Sequence, residues 1–114
     1  METDNGYSDS ILWKKAKELV NNVNHFTDTL PKEELYEIRL RLKNAVAPLP
    51  EKIAYGMQMD SKIEHIRMKI NANSYLEECK NYLDIVERLK FGNTHKLKSE
   101  IDEISKLLIH EKIN

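Results

Sequence analysis

LKNAVAPLPEKIAYG, residues Leu42 to Gly56, is the stretch from which the fold is read. Leu42, Ala45, Leu49 and Ile53 fall three and four apart, as one face of a helix requires. Pro48 and Pro50 interrupt the same segment: each lacks an amide hydrogen, and each ring crowds the carbonyl four residues back. A helix here must bend between Asn44 and Pro50, or stop and restart. The expectation is a kinked helix at the centre of an all-α fold.

Working outward, Leu35 and Ile38 extend this face towards the N-terminus, and Thr29 or Pro31 opens the helix. Glu33 and Glu34 then lie in its first turn, where the helix dipole favours negative charge. Leu30-Pro31 ends a preceding helix whose seam is Leu12, Ala16, Leu19, Val23, Phe26 and Leu30, flanked by Trp13 and Val20. Ser8 or Asp9 offers its cap, and residues 1–7 read as a disordered tail before a single domain over 8–114. A very short loop makes these first two helices antiparallel neighbours.

Beyond Gly56, Met57 to Asp60 reads as a turn, with Asp60 or Ser61 capping a third helix that runs from Lys62 to Phe91 and ends at Gly92-Asn93. Ile63, Ile66 and Ile70 lie within about 60° of one another, while Ala72, Leu76, Cys79, Leu83 and Val86 cluster on a face turned through most of a half-circle. Either the helix breaks near Asn71-Ala72-Asn73, or one face packs within the subunit and the other against a neighbouring subunit. The second alternative is preferred, because a solvated isoleucine row marks an interface. Thr94 caps a fourth helix with Leu97, Ile101, Ile104 and Leu108 inward, and Lys98–Asp102 and Asp102–Lys106 pairs outside. The architecture expected is an up-down-up-down antiparallel four-helix bundle.

Composition agrees with this class. Of 114 residues, 32% are charged and 40% hydrophobic, with only 3 Gly and 3 Pro, a balance that favours helices over a β-sandwich or a disordered chain. The net charge of −1 and pI near 6.4 supply no overall positive field, so nucleic acid or anionic lipid would need a local patch. The single cysteine excludes an internal disulfide, no secretory leader is evident, and no apolar run reaches the roughly 18 residues of a membrane helix. A soluble, cytoplasmic protein is expected.

Chemistry-bearing residues are sparse. The residues three before His25, His65, His95 and His110 are Asn22, Lys62, Gly92 and Leu107, so the Glu-x-x-His motif of two-metal bundles is absent and no metal or cofactor is expected. His25 and Asp28 share a face, most simply as a surface pair. Cys79 has no Cys-x-x-Cys partner and stands among Leu76, Leu83 and Val86, as a core thiol does. Glu33-Glu34 and Glu77-Glu78 diverge by about 100° on a helix and cannot converge as an acid/base pair. One basic row remains: Tyr36, Arg39 and Lys43 share a face, with Arg41, Lys52 and Arg67 near it. Such a row can hold phosphates, with Tyr36 stacking on a base; a solvated charge row is the plainer reading.

Trp13, Ala16, Leu19 and Val20, the Leu30-Pro31-x-x-Glu34 turn, and the run through Ala45, Pro50, Ile53, Ala54 and Gly56 together resemble the small helical proteins named for intervening sequences in 23S ribosomal RNA genes. Ser61, Lys62, Glu64, Ile66, Ala72, Glu78, Tyr82 and Leu83 fit one branch of that family, which singles out Glu78. Departures are Lys43 and Asn44 for two arginines, Pro48 for serine, Lys52 for asparagine and Tyr55 for glutamate. The resemblance implies a four-helix bundle that assembles into a homo-oligomeric ring, commonly of five subunits, and implies no enzyme. It also points to a related basic ring that partners a reverse transcriptase in diversity-generating retroelements and handles nucleic acid. The function expected is therefore a non-catalytic RNA- or DNA-associated accessory module using Tyr36, Arg39, Lys43, Lys52 and Arg67, with Ile63, Ile66 and Ile70 as the subunit interface. The alternative is a protein-interaction scaffold that binds no nucleic acid.

Overall fold

The structure, a computed structural model, describes residues 10–111. The tail expected over 1–7 and the caps Ser8 and Asp9 lie outside the described residues. Within them, 80% are helical and there is no strand. Five helical segments form four arms: α1 Ile11–Asp28, α2 Tyr36–Val46, α3 Leu49–Gln58, α4 Lys62–Arg88 and α5 His95–His110, with α2 and α3 making up the second arm. No helix among these residues is long and apolar enough to cross a membrane.

Local chemistry sets the boundaries. Ser10, in extended conformation, starts α1 by accepting the Trp13 N–H at 3.3 Å. Ser61 does the same for α4, accepting the Glu64 N–H at 3.3 Å. Within the second arm the prolines take the stop-and-restart alternative: α2 ends at Val46, and the ladder resumes with the Lys52 N–H bonded to Pro48 O at 3.0 Å. Pro50 falls in the first turn of α3, where its missing amide hydrogen costs nothing.

Several boundaries differ from expectation; α3, for one, runs on to Gln58 through the first half of the turn expected over Met57 to Asp60. The second arm opens at Tyr36, not at Lys32, because Leu35 leaves the helical region at φ −114° and ψ 29° to bury its side chain. Glu33 and Glu34 thus sit in a preceding turn, and Glu37 alone is acidic in the first turn of α2. At the end of α4 the left-handed residue is Lys90 (φ 63°), not Gly92. The Lys90 N–H bonds Glu87 O at 3.0 Å and the Phe91 N–H bonds Val86 O at 3.2 Å, which closes the helix at Arg88 rather than Phe91. Gly92 serves a different purpose: a Cβ there would lie 3.1 Å from the Phe26 ring. Finally, the Thr94 hydroxyl donates to Glu87 Oε1 at 2.9 Å rather than capping α5, and Asn93 Oδ1 accepts the His95 N–H at 2.9 Å instead.

One core joins the arms. α1 packs on α2, α3 and α5, and α4 packs on α2, α3 and α5. The seams read from the sequence are buried: Leu12, Ala16, Leu19 and Val23 on α1; Leu42, Ala45, Leu49 and Ile53 on α2 and α3; Ala72, Leu76, Cys79, Leu83 and Val86 on α4; and Leu97, Ile101, Ile104 and Leu108 on α5. Phe26 and Ile38 are only partly buried, whereas Val46 and Met68, which the periodicity left out, are core. α4 is continuous through Asn71-Ala72-Asn73. Polar pairs register the arms at the surface. Lys80 meets Asp102 at 3.1 Å, and Lys98 reaches Asp84 and Glu87, so neither the Lys98–Asp102 nor the Asp102–Lys106 pair expected within α5 forms. Lys98 and Asp102 each take a partner on α4 instead of one on the next turn of their own helix. These cross-arm pairs also hold the Asp84 and Glu87 carboxyls below, and the Lys98 ammonium above, their ordinary pKa ranges.

Candidate functional site

The residues of the basic row line two hollows. Tyr36, Arg39, Leu40 and Lys43 line one hollow of about 150 Å³ on α2. Lys52 and Arg67, with Tyr55, Glu64 and Asn71, line a second of about 250 Å³ between α3 and α4.

The cations differ in what holds them. Arg39 Nε donates to the Thr27 carbonyl at 2.8 Å, and its guanidinium lies 3.9 Å from Asp28, with the side chain only 16% exposed. It fastens the end of α1 to the start of α2, so part of its donor set is already engaged within the fold. Arg39→Ala should cost the fold about 2 kcal/mol in urea unfolding, because a buried carbonyl loses its charged donor. Arg41 donates to the Tyr82 hydroxyl at 3.3 Å and pairs with Glu37 at 3.5 Å, contacts that push its pKa above the ordinary value. Arg67 is held by Glu64 at 2.9 Å. Lys43 and Lys52 meet no carboxylate among the described residues.

The isoleucine row of α4 is solvated: Ile63 is 67%, Ile66 42% and Ile70 61% exposed. It runs along the side of α4 away from Met68, Ala72 and Leu76, which face the core. Elsewhere the chemistry is muted. No group of three or more His, Cys, Asp or Glu that could hold a metal occurs among the described residues. His25 is exposed, and Asp28 turns towards Arg39. Burial, with the Glu78 charge beside it, pushes the Cys79 thiol up to about 12, where it is no nucleophile at neutral pH.

A family model described as 23S rRNA-intervening sequence protein matches residues 8–110. The chain belongs to this family. Comparison with curated proteins gave no match.

Placed in the fold, the residues that carried the resemblance are chiefly packing residues. Ala45 and Ile53 are core, Ala54 and Trp13 are partly buried, and Lys17 Nζ stands 4.6 Å from the Trp13 ring centroid. Pro31 accepts the Leu35 N–H at 3.2 Å in the inter-arm turn, and Pro50 shapes the start of α3. Gly56 lies so close to Met68 of α4 that a Cβ would overlap the Met68 Cβ and Cγ. Glu78 is an exposed carboxylate on α4, and Glu34, Lys62 and Ile66 are exposed as well. Sequence reasoning missed Tyr55, which is 60% exposed beside Lys52 and Arg67. Its signal was present as an aromatic at a position where the family pattern carries glutamate.

Proposed function

We propose that this family member is a non-catalytic assembly module: an up-down-up-down bundle, kinked at the prolines of its second arm, that closes into a homo-oligomeric ring through the outer face of α4. The observation that carries this reading is the solvated row Ile63, Ile66 and Ile70 on an unbroken 27-residue helix whose opposite face is already filled by the core. Three large β-branched side chains in one row expose apolar surface that a second copy would remove from water. The order of cross-arm pairs supports the topology: Thr27 with Arg39, Arg41 with Tyr82, Glu87 with Thr94 and Lys69 with Glu111. Five subunits is the ring size that the family resemblance implies. A cytoplasmic location belongs to the same reading, in keeping with a single buried, unpaired cysteine.

Light scattering after size exclusion tests this proposal. The parent chain is expected to elute as a multiple of 13.4 kDa, and Ile66→Asp as a monomer with undiminished helical circular dichroism. A parent that stays monomeric at high concentration refutes assembly through this face.

A second reading, nucleic-acid association, is favoured by a separate observation: each of the two hollows combines an exposed tyrosine with a lysine that meets no carboxylate, Tyr36 with Lys43 and Tyr55 with Lys52. Anisotropy titrations with RNA and DNA at two salt concentrations test it, and steep weakening with salt would show phosphate contacts. Lys43→Glu, rather than any change at Arg39, is the informative variant, since Arg39 also holds α1 to α2.

A further inference from the structure

We propose that the hollow between α3 and α4 is a subsite for one nucleotide unit of a single-stranded nucleic acid, with Lys52 on the phosphate, Tyr55 stacked on the unpaired base and Asn71 on the base edge. This rests on the nucleic-acid reading above and deepens it, because it moves the site from the α2 row to a place where the required groups converge.

Three observations carry it. The charged residues lining the hollow are Lys52, Arg67 and Glu64, a local surplus of one positive charge in a chain whose net charge is −1. Glu64 is engaged with Arg67 at 2.9 Å, which leaves the Lys52 ammonium as the group whose charge is not neutralised locally. A phosphate here would find the Lys52 ammonium without a carboxylate partner, and the Arg67 guanidinium, 61% exposed, lines the same hollow.

The second observation is Tyr55. A tyrosine 60% exposed on a helix has given up much of the burial that aromatic side chains usually find, and Tyr55 lines this same hollow. Every base has a π-face, so such a ring next to cations is a stacking platform that tolerates sequence. The third is size. At about 250 Å³ the hollow falls below the roughly 300–1,000 Å³ of pockets that engulf a small molecule, so a ligand is gripped from one side only. That suits one unpaired base on a continuing strand. A base within a duplex keeps its faces stacked on its neighbours and cannot reach Tyr55. Asn71, exposed on α4 at the hollow's wall, offers one amide donor pair and one acceptor to a base edge.

The test is fluorescence anisotropy with a labelled oligouridylate and a duplex RNA of equal length, at two salt concentrations, on the full chain and on folded variants verified by circular dichroism. The single strand should bind more tightly than the duplex. Tyr55→Ala should weaken single-strand binding about tenfold, while Tyr55→Phe, which keeps the ring, should retain it. Lys52→Glu should weaken binding and reduce the salt slope by about one. Full affinity in both Tyr55→Ala and Lys52→Glu, with loss in Lys43→Glu, would overturn the hollow and leave the nucleic-acid reading standing on α2. No binding by the parent at low salt would overturn that reading and this subsite with it. Uridine monophosphate that displaces the strand from the parent but not from Tyr55→Ala would keep the hollow as a nucleotide site and make the free nucleotide its source.

Discussion

Gly56→Ala is expected to destabilise the fold by about 2–3 kcal/mol, with a fall of roughly 10 °C in melting temperature. For an ordinary glycine inside a helix the sign is the reverse, since alanine gains about 1 kcal/mol of helix propensity. The difference lies across the helix pair. A Cβ at Gly56 would overlap the Cβ and Cγ of Met68, atoms close to the α4 backbone that cannot swing aside as a chain end does. Either α3 or α4 must move outwards, and both carry fully buried side chains, Leu49 and Ile53 on one, Ala72 and Leu76 on the other. Shortening the obstacle in Gly56→Ala/Met68→Ala should recover part of the loss, because the Cγ contact disappears while the Cβ contact remains. Thermal and urea unfolding of the four proteins of this cycle measure the coupling. A Gly56→Ala chain more stable than the parent would refute the close approach.

Alkaline pH supplies the second large effect. Cys79 is fully buried, and its thiol is raised from 9.0 to about 12, mainly by desolvation and secondarily by the neighbouring Glu78 charge. Between those values the folded chain keeps a proton that the unfolded chain has released. The unfolded state then binds fewer protons, so stability is complete below pH 9 and falls as pH rises towards 12. The slope approaches about 1.4 kcal/mol per pH unit, and the full shift is worth about 4 kcal/mol. Other alkaline titrations act on parent and variant alike, so the comparison that isolates this one is with Cys79→Ala. The variant should lose stability at neutral pH through its small cavity, yet show a flatter profile above pH 9. In the folded parent a thiol reagent should react only as fast as the chain opens, and at once in denaturant. Rapid labelling of the native protein would contradict the burial.

The row proposed for assembly and the hollow proposed for nucleic acid occupy neighbouring parts of one helix. Ile63, Ile66 and Ile70 run along the outer face of α4, while Arg67 and Asn71 flank them on the side lined by Tyr55 of α3. Ile66→Asp and Tyr55→Ala therefore separate the two readings: the first is directed at the row, the second at the hollow beside it.

The sequence by itself determined the helices and their inner faces. Apolar spacing of three and four marked nearly every buried position, and two prolines marked where the second arm is interrupted, because periodicity and the missing amide hydrogen act within a turn or two of the chain. Family membership was legible for the same reason, its motif residues being the ones that let the arms pack. Only the tertiary structure decided which partner each polar group takes. Arg39 looked like a member of an open basic row and is spent on the Thr27 carbonyl; Lys98 looked paired within α5 and is held by α4 carboxylates. It also showed that Gly56 lies where a Cβ would overlap Met68, and that Tyr55, Lys52 and Arg67 line one hollow. Such facts depend on the separation and rotation of helices distant in sequence. A hydrogen bond or a steric overlap changes over a few tenths of an ångström, a scale on which spacing along the chain carries no information.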